Sequence, residues 1–135
     1  MIPKVGDVLE TFRFGPVDPQ SMVVWSEILK DPNPIHLDVA AVEAMGLGTR
    51  RINQGPANLA YLLNGVLRAF PGAKIEQISN RFVGNVLEDD MILVSGSVSR
   101  VESVTGGLRV TCEMVLDVEG RGPAVTGTVQ VLVPG

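Results

Sequence analysis

The two halves of the chain obey different hydrophobic periods, and this limits the folds open to it more than any other feature. Leu59, Leu62, Leu63, Val66, Leu67 and Phe70 fall at i, i+3, i+4, i+7, i+8 and i+11, the spacing of an amphipathic helix that packs one face on something large. Gly55-Pro56 opens that helix with proline at an early helical position, and Pro71-Gly72 ends it. From Ile75 onward the period becomes two. Leu108, Val110, Cys112, Met114, Leu116 and Val118 point one way while Arg109, Thr111, Glu113 and Asp117 point mostly the other. Val125, Val129, Val131 and Val133 repeat the pattern with Gly127 in register, and Ile92, Val94 and Val98 show it earlier. Thr105-Gly106-Gly107 and Glu119-Gly120-Arg121-Gly122 are the turn signals. The expectation is a meander of four antiparallel strands after the helix. An extended segment around Val8 to Phe14 brings the total to about five. A long helix followed by a twisted antiparallel sheet is an α+β arrangement in which the sheet wraps the helix.

Two shorter helices precede the long one. Asp18 followed by Pro19 is an N-cap with proline at the first helical position, and the helix runs to about Leu29. Asp38 caps the segment VAAVEAM, which Gly46 closes.

With 135 residues the chain has the size of one domain, and residues 1–135 are read as one. Such a length buries roughly two-thirds of the surface that the unfolded chain exposes, so the core needs no staples. Cys112 is the only cysteine, which excludes an intrachain disulfide or a cysteine-rich metal set; its apolar neighbours make it a core residue. The net charge of −4 argues against a general nucleic-acid binder. Between Gly48 and Asn85, however, Arg50, Arg51, Arg68, Lys74 and Arg81 face only one acid, Glu76. That segment either holds a small anionic ligand or is a solvated charged surface. The opening MIPKVGDVLE has no apolar signal-peptide core, and no apolar run reaches the ~18 residues of a membrane-spanning helix. A soluble cytoplasmic protein without membrane partners is expected.

The segment Lys30-Asp31-Pro32-Asn33-Pro34-Ile35-His36-Leu37-Asp38 lies between the two short helices and is stiffened by two prolines. Such a loop can hold Asp31 and His36 in fixed relative positions. His36 is the only histidine, and imidazole is the side chain whose proton exchange best suits neutral pH. The same residues also read as plain local structure, with Asp31 ending one helix, Asn33 making an Asx turn, and His36 and Asp38 capping the next. Residue types alone leave both readings open.

A longer pattern bears on the choice. The stretch DPNPIHLDVAAVEAMGLGTRRINQGPANLAYLL resembles the hydratase motif of MaoC-like proteins, which include R-specific enoyl-CoA hydratases and hot-dog dehydratases. That motif runs Asp-x-Asn-Pro-x-His-x-Asp, then an Ala-rich helix ending in Gly, then His-Gly opening a long apolar helix. Asp31, Asn33, Pro34, His36 and Asp38 match the first block, and Ala44 and Gly46 fit the middle. The later ISNRFVGNVLEDDMILVSGSV is similar to the family's Arg-Phe strand and hairpin, placing Arg81 and Phe82. There are two departures: Gln54 stands where the family usually has histidine, and the proline after the Arg-Phe pair is absent, with Asn85 nearby.

The resemblance implies a single hot-dog domain that adds water to trans-2-enoyl thioesters. Asp31 and His36 become the acid/base pair sharing one water, and the Gly55 N–H becomes the donor to the thioester oxygen. The physical logic is that first-turn N–H groups lack internal partners at the positive end of a helix. Asn33 would position the water or the loop, and Gln54 would touch substrate. Arg50, Arg51 and Arg81 are candidates for the phosphates of coenzyme A. No cofactor or metal is implied, coenzyme A entering as part of the substrate. The resemblance further implies a homodimer or dimer of dimers, or a heteromer with another hot-dog chain, including catalytic partners in hydratases for bulky steroid side-chain thioesters. Two other readings stand beside this one. A hot-dog thioesterase would need a carboxylate on or near the long helix, and no acid occurs from Gly55 to Lys74. A non-catalytic acyl-CoA-binding subunit would keep the loop for structural reasons, and Gln54 is the residue in its favour.

Overall fold

Asp18 accepts a hydrogen bond from the Gln20 N–H at 2.9 Å and starts helix α1 (Pro19–Leu29), with proline in the first turn. The helix ends at Lys30, whose left-handed backbone (φ 52°) turns the chain into the Asp31 loop. A 3₁₀ turn over Pro34–His36 follows, then α2 (Val39–Ala44), capped by Asp38 through the Ala40 N–H at 2.9 Å. The long helix α3 spans Gly55–Ala69. The structure is a computed structural model that describes residues 2–135; Met1, the first residue of the expected domain, lies outside the described residues.

Among the described residues five strands form one antiparallel sheet: β1 (Phe12–Phe14), β2 (Lys74–Phe82), β3 (Ile92–Val104), β4 (Gly107–Val118) and β5 (Gly122–Pro134), in the order β1-β3-β4-β5-β2. The strand number and class match the expected α+β hot-dog arrangement. The meander differs: it contains three strands, not four. Tight turns at 105–106 and 119–121 force β3, β4 and β5 to be neighbours. Residues 83–91 form a longer connection that imposes no such pairing, and β2 runs instead along the far edge beside β5. Register shifts between Ile75 and Gln77, between Val98 and Arg100, and between Leu116 and Asp117 bend the sheet around the helix.

Helix α3 lies across β3, β4 and β5. Its buried residues are Ala57, Asn58, Tyr61, Leu62, Gly65 and Val66, whereas Leu59 and Leu63 are only partly buried and Leu67 is exposed. The face in contact with the sheet is thus rotated from the leucine stripe toward the small residues. Gly65 explains why, since a Cβ there would collide with the Cγ1 of Val94. Beneath the helix, Val110, Cys112, Leu116, Val125, Val129 and Val131 are fully buried, as period two requires. No helix among the described residues is long and apolar enough to cross a membrane.

Candidate active site

Asp31 is placed by the end of α1. Its N–H donates to the Ser26 carbonyl at 3.0 Å, and the Ser26 hydroxyl donates back to the Asp31 carbonyl. The carboxylate Oδ1 accepts from the Asn33 N–H at 3.2 Å, which leaves Oδ2 directed elsewhere. Asn33 uses its own side chain to cap the 3₁₀ turn, accepting from the Ile35 N–H at 3.3 Å. That turn delivers His36, whose side chain is only 10% exposed while that of Asp31 is 42% exposed.

The two side chains meet with His36 Nε2 and Asp31 Oδ2 3.6 Å apart. On the other side of the ring, Nδ1 lies 2.6 Å from the carbonyl oxygen of Ile52. A carbonyl oxygen only accepts, so Nδ1 carries the proton and, in the neutral ring, the Nε2 lone pair faces the carboxylate. The result is two acceptors side by side, too far apart to bond directly and suited to a water molecule that donates to either. His36 opens on a cavity of about 210 Å³ shared with Pro19, Gln20, Val23, Leu37 and Arg51.

Three residues after Ile52 the chain enters α3. Proline at position 56 has no N–H, and the Asn58 N–H already donates to the Gln54 carbonyl at 3.1 Å. The first-turn donors without a helical acceptor are therefore those of Gly55 and Ala57. Ala57 is fully buried, whereas Gly55 is partly exposed. The Phe82 ring lies over Gly55, close enough that a Cβ at 55 would meet its Cζ at 3.2 Å.

The remaining sequence candidates are used differently. Gln54 is 1% exposed, with its amide donating to the Met22 carbonyl at 2.8 Å, so it ties α3 to α1 from inside the protein rather than lining an open cavity. Its Oε1 and the Oδ1 of Asn53 are buried without partners among the described residues. Arg50 contacts Asp90 at 3.1 Å, and Arg51 contacts Glu88 at 2.6 Å, so neither is the unpaired cation that the local charge excess suggests. Arg81 follows the alternation of β2: Phe82 faces α3, and Arg81 points to the opposite side of the sheet, where it lines a shallow groove with Ser79, Ser97, Glu113, Thr126 and Thr128. The structure brings Asp31, Asn33 and His36 together and does not bring Arg81 to them.

The MaoC like domain matches residues 3–119, which include the whole Asp31–His36 loop, α3 and most of the sheet. The chain belongs to the MaoC-like family. Among solved structures, the (R)-hydratase from A. caviae involved in PHA biosynthesis superposes on this MaoC-like chain with a TM-score of 0.85 at 20% identity, covering 97% of each chain. A chain of the ChsH1-ChsH2 complex from Mycobacterium tuberculosis gives 0.83 at 23% identity, over 98% of this chain and 99% of that one. The MaoC-like dehydratase from Rhodospirillum rubrum gives 0.80 at 19% identity, over 97% and 92%. At these identities the likeness establishes a shared fold. No curated protein matches the chain in sequence.

Sequence reasoning missed the partners that fix the histidine of this MaoC-like site. Ile52 supplies a backbone carbonyl, for which no side chain gives a signal. Glu88 reaches the site only through Arg51, which joins it to the Leu37 carbonyl from a segment remote in sequence.

Proposed function

We propose that this protein is an (R)-specific enoyl-CoA hydratase, or 3-hydroxyacyl-CoA dehydratase in the reverse direction, with Asp31 and His36 as its acid/base pair. The observation that carries this reading is the orientation of His36: the Ile52 carbonyl holds the proton on Nδ1, and Nε2 faces Asp31 Oδ2 at 3.6 Å. A water held between them attacks C3 of the enoyl thioester and gives one proton to this pair, which returns a proton to C2. Water is consumed and the pair ends as it began. Negative charge that develops on the thioester oxygen is met by the Gly55 N–H at the positive end of α3.

The reading extends to a second chain. A cavity of about 210 Å³ is small against the roughly 300–1,000 Å³ of ordinary small-molecule sites. Arg50 and Arg51, the nearest candidates for the phosphates of coenzyme A, are already paired with acids. A partner hot-dog chain, identical or different, would supply the missing wall and cations. The neighbour from Mycobacterium tuberculosis is itself a complex of two named components. A soluble cytoplasmic enzyme acting on acyl-CoA is the corresponding setting.

The test is loss of enoyl-thioester absorbance on short, long and steroid-like trans-2-enoyl-CoAs, with Asp31→Asn and His36→Ala in parallel. Each substitution is expected to lower kcat by ~10²–10⁴. Turnover retained in both variants, or no turnover by the folded protein alone or with candidate partner chains, sinks the proposal.

A further inference from the structure

We infer that Arg51 is a positioning residue that sets the orientation and tautomer of His36, held in place for that purpose by Glu88. This rests on His36 having the catalytic role proposed above.

The segments 35–37 and 51–52 are joined by three hydrogen bonds that bracket the histidine. The Ile52 N–H donates to the Ile35 carbonyl at 3.0 Å, on the residue before it. Arg51 Nε donates to the Leu37 carbonyl at 3.1 Å, on the residue after it. The ring itself closes the third bond, from Nδ1 to the Ile52 carbonyl at 2.6 Å. Two of these need only backbone on the 51–52 side, and the Arg51 bond is the one that a side chain there controls. Arg51 is aimed by its other end: Nη1 donates to Glu88 Oε2 at 2.6 Å, and Glu88 is anchored by its own N–H on the Arg51 carbonyl at 2.9 Å. Glu88 is 12% exposed. Beside it, Ile52 pairs with Leu87 in an antiparallel bridge, so the carbonyl that His36 needs belongs to the same short ladder. A planar guanidinium can serve Leu37 and Glu88 at once because its donors diverge in a fixed fork. A lysine ammonium has no such fork.

Because His36 is the only histidine, its ring nitrogens can be followed without assignment ambiguity. The experiment compares wild type, Arg51→Lys, the charge-balanced double variant Arg51→Gln with Glu88→Gln, and Arg121→Gln. The last breaks a similarly close ion pair, 2.6 Å from Asp90, that contacts neither Arg51 nor His36. Long-range proton–nitrogen NMR of the neutral imidazole reads the tautomer, and steady-state kinetics read kcat and KM. Wild type and Arg121→Gln should show a ring protonated on Nδ1. Both Arg51 variants should show a mixture of tautomers, with kcat lower by about 10–100-fold and KM little changed, the pattern expected when a catalytic group is displaced and substrate binding is left intact. Folded Arg51 variants that keep the pure Nδ1–H tautomer overturn the inference, whatever happens to their activity. Wild-type protein inactive on enoyl thioesters would instead remove the catalytic reading, while the tautomer comparison would still decide whether Arg51 orients His36.

Discussion

Gln54 stands wholly inside the protein, one residue ahead of the helix whose first N–H we propose as the donor to the thioester oxygen, and its amide bonds to the Met22 carbonyl of α1 at 2.8 Å. Replacing it with alanine removes this bond between α3 and α1, to a carbonyl that α1 already engages within its own helix, and opens a cavity. Gln54→Ala should therefore lose about 2–4 kcal/mol in a denaturant titration, and a loss below about 0.5 kcal/mol, the usual range for surface changes, would show that the tie contributes nothing. Cys112 makes a contrasting case. Burial, with a smaller contribution from the charge of Glu113, pushes its thiol up to about 11, so the thiolate is scarce near neutrality. Iodoacetamide should leave the native protein unmodified and label it once urea unfolds it; labelling of native protein at the unfolded rate would refute this. The residues that are legible from sequence share one property. Asp31, Asn33 and His36 lie within a single proline-stiffened loop, so their meeting is a local matter. Ile52 and Glu88 join the same site across the fold, and no local pattern announces a backbone carbonyl as the partner of an imidazole.

At the scale of elements, period is a good guide to type and a poor one to neighbours. Capped helices at Asp18 and Asp38, and strands ending at glycine turns, follow from local chemistry. The place of β2 does not, because residues 83–91 let it travel to the far edge beside β5. Counting leucines likewise misjudges the buried side of α3, since close approach to a sheet rewards the absence of a side chain. Gly65 carries this argument to a measurement. Alanine is favoured over glycine in a helix interior by about 1 kcal/mol, yet a Cβ at 65 would press on Val94 of β3, itself 1% exposed and packed from all sides. Overpacking of this kind costs about 1–3 kcal/mol and should prevail. Gly65→Ala is expected to lower Tm; an increase would mean that Val94 can turn aside and that the helix sits less tightly on the sheet than its geometry indicates.

Across the whole molecule, Asp90 joins parts of the chain that neither the helices nor the strand pairing secures. It lies 6% exposed between Arg50, ahead of α3, and Arg121, in the turn between β4 and β5, and its Oδ2 also accepts from the Leu87 N–H at 2.7 Å. Burial pushes its carboxyl up, but the Arg121 hydrogen bonds, the Leu87 N–H and the charges of Arg121 and Arg50 together outweigh burial and hold it below the ordinary carboxylate range. A carboxyl lowered on folding binds its proton less readily in the folded state than in the unfolded one. Its contribution to stability is complete above the unfolded-state value and disappears as the pH falls through the folded-state value. Asp90→Asn keeps the shape and removes the charge, so at neutral pH it should cost about 2 kcal/mol, between the ~3–5 kcal/mol of a broken buried pair and the ~0–1 kcal/mol of a surface one, because both arginines are partly exposed. The difference in Tm between wild type and Asp90→Asn should narrow steadily as both are acidified below the carboxylate range, because the wild-type group then becomes neutral too. A gap that stays constant down to the acid limit would assign the stabilisation to packing around residue 90 rather than to its charge, and the two arginines would then be held by their bonds to the Glu88 and Asn85 carbonyls instead.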